Sequence, residues 1–383
     1  MIKGDKSAET ERVRMVTFID DLCAGGTQRW LTHILKGLHQ RGYDHKVFVV
    51  RNSADPHFLL ETRKYAEVEI CGEPALWCVH GLIRTYCSMR SWRPHIVQTL
   101  LPSSDMIGRT LAWLAHVPVI VSSIRGRNVD KPGWQRWLDR RTVALADRVI
   151  FNAEDAIPFA LAHEGVVREQ AVYIPNGIDR SVPGALPFAI RRELGIPETS
   201  RIIGAVGRLH PSKGHKDLIS AFARLAEEMP DLCLLIVGDG ELRLKLEKQA
   251  EDYNLGDRIF FAGCRPDIAD LLSIMDVFAH PSHWEGMPNA VMEAMANGKP
   301  IVASGIDGIK ALIAEGETGL LVHPGSTEEI VAQLRRLLAD RDLAAKLGES
   351  AAQRMKERFG LERMMNAYDD LYKTLLRQKT AIN

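Results

Sequence analysis

Short apolar runs alternate with longer amphipathic stretches along most of this chain, and that alternation restricts the fold more than any other feature. "RVRMVTFI" reads as a strand, "DDLCAGGT" as a loop, and "QRWLTHILKGLHQRG" as a helix closed by Gly42. Strands follow at "HKVFVV", "HIVQTL", "VPVIVSS", "DRVIFNA" and "AVYIP", and the Gly- and Pro-rich "NGIDRSVPGALP" reads as a linker. A second series opens with the strand "SRIIGAVGRL" and a helix over residues 215–229. It continues with "LCLLIVGDG", a helix over 241–253, "RIFFAG", "DVFAHPS", a helix opened by "EGMPNAVMEAM", "KPIVAS" and "GLLV". Strands alternating with helices build parallel sheets wound on both faces. At 383 residues the chain exceeds one ordinary core. The expected architecture is therefore α/β: two facing, Rossmann-like, doubly wound parallel-sheet domains with a cleft between them. They would occupy residues 1–180 and 199–355, with a linker over 181–198 and a last helix, 356–383, packing back on the first domain. In such sheets ligands bind at the carboxyl ends of the strands, where strand order reverses.

Composition narrows the partners. Net charge is zero, whereas a nucleic-acid binder carries a positive excess, so no nucleic acid is expected. Six cysteines without a C-x-x-C pair fit a reducing cytoplasm. The first dozen residues are polar and mixed in charge, so no signal peptide is expected, and the apolar stretch 110–124 is short and broken by His116 and Pro118. Residues 84–141, however, hold ten Lys/Arg against three acids, with Trp92, Trp113, Trp134 and Trp137 interleaved. That mixture suits an anionic membrane surface; solvated arginines over core tryptophans are the plainer account.

Three stretches stand where strand ends meet helix starts. In "AGGTQ", Gly25 and Gly26 let a ligand approach the backbone before the first helix, although an ordinary glycine-rich turn reads the same way. "GRLHPSKGH" puts Arg208 at a strand end and Lys213 before a helix, two cations suited to a diphosphate. In "EGMPNAVMEAM", Pro288 fits a first helical turn, and the amides of Met287, Asn289 and Ala290 would face an anion. Glu293 lies among Ala290, Val291, Met292, Ala294, Met295 and Ala296, in a helix that reads as apolar nearly all round and hence buried. A carboxylate there needs partners, and the hydroxyls of a ribose would serve; Glu285, in the preceding loop, would reach a second set. Rival motifs are missing: no G-x-G-x-x-G follows the first strand, and there is no P-loop and no H-E-x-x-H. His280 and His283 flank a proline in "HPSHW" and are not expected to hold a metal.

"HPSHWEGMPNAVMEAMANGKPIVAS" followed by "GLLV" resembles the E-x7-E core of the GT4-type, GT-B-fold retaining glycosyltransferases. "AGG", "YIPNGID", "GRLHPSKG" and "VGDG" stand in that family's order. The resemblance implies that Arg208 and Lys213 bind the donor diphosphate, with Gly207 beside them. It further implies that Glu293 binds the ribose, and that Glu285 binds the transferred sugar with help from Met287, Pro288 and Asn289. Gly25 and Gly26 would face the phosphate, and Val237, Gly238 and the 263–265 segment with Cys264 and Arg265 would line the base pocket. Many relatives carry a histidine where this chain has Arg125, which leaves Arg125 as an acceptor-side candidate. The implied activity is retaining transfer from a nucleotide sugar, a UDP-sugar before a GDP-sugar, to a polysaccharide, lipopolysaccharide or lipid-linked acceptor of the cell envelope. The donor is a substrate, and no cofactor or metal is expected. "DGE" at 239–241 follows a strand without a partner acid. The enzyme would be cytoplasmic and peripheral to the membrane. The alternatives are a nucleotide-sugar-binding protein without transferase activity and a nucleotide-sugar epimerase.

Overall fold

The computed structural model describes residues 12–23, 26–71, 79–125 and 132–381. The chain forms two units, Met1–Ile174 with Met365–Asn383, and Pro175–Met364. The first holds seven parallel strands: β1 (Val13–Ile19), β2 (Tyr43–Val49), β3 (Ala66–Ile70), β4 (Ile96–Leu100), β5 (Val119–Ile124), β6 (Arg148–Phe151) and β7 (Ala171–Tyr173). Their order is β3-β2-β1-β4-β5-β6-β7. The second holds β8 (Arg201–Val206), β9 (Leu232–Val237), β10 (Ile259–Gly263), β11 (Val277–His280), β12 (Ile301–Ser304) and β13 (Leu320–Val322), ordered β10-β9-β8-β11-β12-β13. Both sheets share the doubly wound pattern, with reversals between β1 and β4 and between β8 and β11.

Alternation along buried strands supplies two cores per sheet. In the second unit Leu234 and Ala279 face one apolar cluster with Phe222, while Leu235 and Phe278 face the other with Met292. Two elements depart from the sequence reading. Strand β3 was not expected; it is an edge strand whose Glu67 and Glu69 pair with Lys46, and charge breaks its apolar run. The stretch read as a linker carries a helix, Pro187–Leu194, whose Ile190 joins the core of the second unit. The first unit's main segment ends at Ile174 and the second unit begins at Pro175. The last helix, Leu361–Thr380, contributes Tyr368 and Tyr372 to the first unit. The Tyr372 hydroxyl donates to Gln98 Oε1 at 2.8 Å, and Tyr43 donates to Asp369 at the same distance.

Candidate active site

In the second sheet β8 and β11 are neighbours at the reversal of strand order, so the loops leaving them emerge side by side. The first loop carries Gly207, the exposed Arg208 and Lys213; the second carries Ser282 and Glu285. Lys213 closes a 3-10 turn, Pro211–Lys213, and its Nζ forms an ion pair with Glu285 Oε1. His280 Nε2 lies 3.3 Å and Ser282 Oγ 3.4 Å from the same oxygen, and the two are 3.0 Å from each other. Burial pushes the Glu285 carboxyl up, but the His280 hydrogen bond and the Lys213 charge together outweigh it and hold the pKa down to about 2. Glu285 is therefore an anion at neutral pH. Burial, with His280 and Lys213 beside it, pushes the neighbouring His215 imidazole down to about 4, so it is neutral.

Glycine contacts fix both loops. A Cβ on Gly214 (φ +67°) would meet the Pro281 carbonyl oxygen at 1.9 Å, and one on Gly308 would meet that of Gly286 at 1.5 Å. Lys213 and Glu285 each adjoin one of these contacts. At the carboxyl ends of β8 to β10 the backbone is equally close: Gly207 N–H donates to Val237 O at 2.9 Å and Gly238 N–H to Gly263 O at 2.8 Å.

The helix Asn289–Ala296 is not apolar all round. Val291, Met292, Ala294, Met295 and Ala296 are buried, but Asn289, Ala290, Glu293 and Asn297 share one half-buried stripe. Glu293 is therefore half-buried rather than enclosed by the core, with its Oε2 shielded from solvent. Pro288 is the N-cap, extended at φ −75° and ψ 112°, rather than part of the first turn. The first-turn amides are thus those of Asn289, Ala290 and Val291, and Met287 lies outside the helix. Asn289 Oδ1 accepts from Asn176 Nδ2 at 2.8 Å, tying "PNGID" to this helix start.

Other expected residues divide. Val237 and Met287 bury their side chains in the core, so only their backbones can line a pocket. Cys264 is exposed, while Arg265 is committed to Asp267 and Glu193. Gly26 opens the first helix, Gly26–His39, directly after the β1 loop; Gly25 lies outside the described residues. Arg125 follows β5 with its guanidinium 4.1 Å from the Trp30 ring centroid and Tyr368 beside it. Burial pushes its pKa down to about 10, which leaves it a cation. His283 stands 3.1 Å from Asp217, while His280 serves Glu285. Among the described residues no cluster of three His, Cys, Asp or Glu is placed to hold a metal ion. The chain does contain one D-x-D, Asp340-Arg341-Asp342, which the sequence reading passed over. Asp340 there caps the helix Arg341–Arg358, accepting from the Leu343 amide at 2.9 Å.

The basic segment also divides. Arg109 is buried and bound to Asp139 at 2.9 Å and Asp105 at 3.3 Å, so it joins no surface. Trp92 packs against the core. Trp113, Trp134 and Trp137 are 56%, 51% and 57% exposed, too much for core residues. Arg127 and Lys131 lie outside the described residues.

Sequence reasoning missed His280, Ser282, Asn176 and the two contact glycines. For His280 the available clue was its place in "VFAHPS", two residues after Phe278 on the same inward face of a buried strand.

The family described as Glycosyl transferases group 1 matches residues 188–354, and that described as Glycosyl transferase 4-like domain matches residues 25–177. The chain is 30% identical over 305 residues to D-inositol 3-phosphate glycosyltransferase of Corynebacterium urealyticum, covering 72% of this chain and 71% of that protein. It is 28% identical over 304 residues to UDP-Gal:alpha-D-GlcNAc-diphosphoundecaprenol alpha-1,3-galactosyltransferase of Escherichia coli, covering 76% and 78%. Among solved structures, Anabaena HepE in complex with UDP and glucose superposes with a TM-score of 0.82 at 22% identity, covering 94% of this chain and all of that one. WaaG, a glycosyltransferase involved in lipopolysaccharide biosynthesis, gives 0.72 at 19%, covering 93% and 98%. With both family regions matched, the E-x7-E pair in place and the two doubly wound sheets of the GT-B fold, the chain belongs to the GT4-type glycosyltransferases.

Proposed function

We propose that this glycosyltransferase moves a sugar from a nucleotide-sugar donor, a UDP-sugar before a GDP-sugar, to a glycan or lipid-linked acceptor of the cell envelope. Transfer would proceed with retention of configuration and without a divalent metal. The observation that carries this reading is the meeting of Lys213 and Glu285 at the strand reversal of the second sheet, in the same unit as the half-buried stripe that holds Glu293. The donor preference draws on the Escherichia coli relative, whose name specifies UDP-Gal, and on HepE, solved with UDP. The acceptor class draws on the same relative's diphosphoundecaprenol-linked acceptor.

A departing nucleoside diphosphate gains negative charge as the glycosidic bond breaks. Arg208, Lys213 and the N-terminus of the helix Asn289–Ala296, the positive end of its dipole, are groups that would neutralise it, aimed where the charge develops. Glu293 would accept from the ribose hydroxyls, and Glu285 from hydroxyls of the transferred sugar. Retention rests on kinship with the family. The test is product stereochemistry in EDTA: an α-linked product from an α-linked donor is expected. A β-linked product, or activity lost in EDTA and restored by Mn²⁺, overturns the mechanism.

The acceptor class also gives the exposed tryptophans a role. On the helix Gly133–Thr142, Trp134 and Trp137 are exposed, the Arg141 guanidinium lies 5.4 Å from the Trp137 ring centroid, and Arg140 is exposed alongside. Indole rings suit a membrane interface, and each nearby cation adds about 1 kcal/mol on an anionic surface. Placed this way the enzyme works at the cytoplasmic face of a membrane. Co-sedimentation at low salt should favour phosphatidylglycerol over phosphatidylcholine vesicles, and a Trp134→Ala/Trp137→Ala variant should lose most of that preference. Equal sedimentation of the parent with both vesicles removes the idea.

A further inference from the structure

His280 occupies a position where an apolar residue would serve the fold. It ends β11 on the same face as Phe278, with the two rings stacked at 6.2 Å, and it is 4% exposed. A buried imidazole on that face is unfavourable unless its nitrogens are bonded. What it meets is Ser282 Oγ at 3.0 Å and Glu285 Oε1 at 3.3 Å, and Ser282 is itself fully buried. Lys213 Nζ contacts the same Oε1, so three groups converge on one oxygen of a carboxylate that has two, and none of the three uses Oε2. Because Glu285 is ionised, the His280 nitrogen facing it carries the proton and donates.

We propose that His280 and Ser282 are positioning residues for Glu285: with Lys213 they fix Oε1 and so present Oε2 to a hydroxyl of the transferred sugar. This rests on the reading of Glu285 as a sugar-binding group. The consequence is a division of labour within the donor site. Lys213 would exchange part of its contact with Glu285 for the diphosphate when donor binds, and His280 and Ser282 would keep the carboxylate oriented while it does so. The charged and titratable groups that act on Glu285 are then Lys213 from the β8 loop and His280 from β11; His215, on the helix after that loop, faces the same two groups.

The test compares His280→Leu, His280→Gln, Ser282→Ala and Glu285→Gln. Gln is chosen because its amide can donate from about the place of the imidazole Nε2. Each is titrated with UDP and with UDP-glucose, UDP-galactose and UDP-N-acetylglucosamine, and the slow release of UDP from each donor is followed. Glu285 is also observed in the unliganded protein through its carboxyl ¹³C resonance, identified by its loss in Glu285→Gln. In His280→Leu, UDP affinity should stay within about twofold while UDP release from the donor falls about 10- to 150-fold, the range for losing a hydrogen bond to a charged group. His280→Gln should recover most of it, and Ser282→Ala should fall between. The Glu285 resonance should titrate at higher pH in His280→Leu than in the parent. The proposal is overturned if His280→Leu leaves both the resonance and the donor reaction unchanged while Glu285→Gln abolishes the reaction. It is overturned equally if UDP and UDP-sugar binding weaken in parallel and His280→Gln restores neither, the mark of a purely structural residue. If Glu285→Gln itself changes nothing, the sugar-binding role of Glu285 fails instead.

Discussion

Arg208→Ala should lower kcat for sugar transfer by roughly 10²- to 10³-fold, the loss seen when one preorganised group facing developing charge is removed. Arg208 is exposed at the end of β8, so its removal should leave the melting temperature within a degree or two of the parent. Lys213→Ala should lose kcat on the same scale, but for two reasons. It removes a cation that would face the diphosphate, and it takes away the charge that helps keep the buried Glu285 ionised. The Glu285 carboxyl is 13% exposed, so stripping its partner should also destabilise the unit and raise its pKa from about 2. The two variants are thus distinguishable: Arg208→Ala falls in kcat alone, Lys213→Ala in kcat, stability and donor KM together. Wild-type kcat in Arg208→Ala would return that residue to an ordinary surface cation.

Mild acid should destabilise both units well before their carboxylates titrate. His45, on β2, and His215, after the Lys213 turn, are buried in the first and second units, and burial first of all pushes their pKa values down to about 3 and about 4. Their ordinary value is 6.5, so below that pH the unfolded chain takes up a proton that the folded chain refuses. Stability is complete above pH 6.5 and is lost as pH falls towards pH 4 and 3. The slope is about 1.4 kcal/mol per pH unit for each group, so each unit should lose about 2 kcal/mol between pH 7 and pH 5. Glu285 adds to this in the second unit only below its ordinary 4.5, down to about 2. Urea unfolding at pH 7 and pH 5 reads the loss directly, and His45→Phe, which keeps a ring beside Tyr43, should flatten the dependence of the first unit. A parent equally stable at both pH values contradicts the argument.

Most of the sheet architecture was legible because parallel strands buried on both faces leave uninterrupted apolar runs, as in Leu232–Val237. What escaped was marginal in burial. Strand β3 is interrupted by Glu67 and Glu69, and the helix Pro187–Leu194 buries little beyond Ile190 among turn-forming neighbours. At the site, spacing brought out Arg208, Lys213, Glu285 and Glu293 singly. It could not show that Lys213 and Glu285 touch, because a contact across 72 residues follows from strand order, not from local pattern. For the same reason Arg109 was counted with the surface arginines, although it lies buried between Asp105 and Asp139. Glu293 shows the converse: the composition of its helix suggested full burial, while the 100° step between residues leaves one stripe open.

The central claim is that the nucleotide-sugar donor binds at the carboxyl edge of the second sheet, with its ribose on Glu293. Calorimetric titration of UDP in the presence of EDTA, into the parent and into Glu293→Ala, tests it most directly. Loss of charge-assisted hydrogen bonds to ribose hydroxyls costs about 1.5–3 kcal/mol, so Glu293→Ala should bind UDP roughly 10- to 150-fold more weakly. Its circular-dichroism spectrum should match that of the parent, which separates lost binding from lost folding. Equal UDP affinity in the two proteins, or a parent that binds UDP only when Mn²⁺ or Mg²⁺ is supplied, would contradict the account.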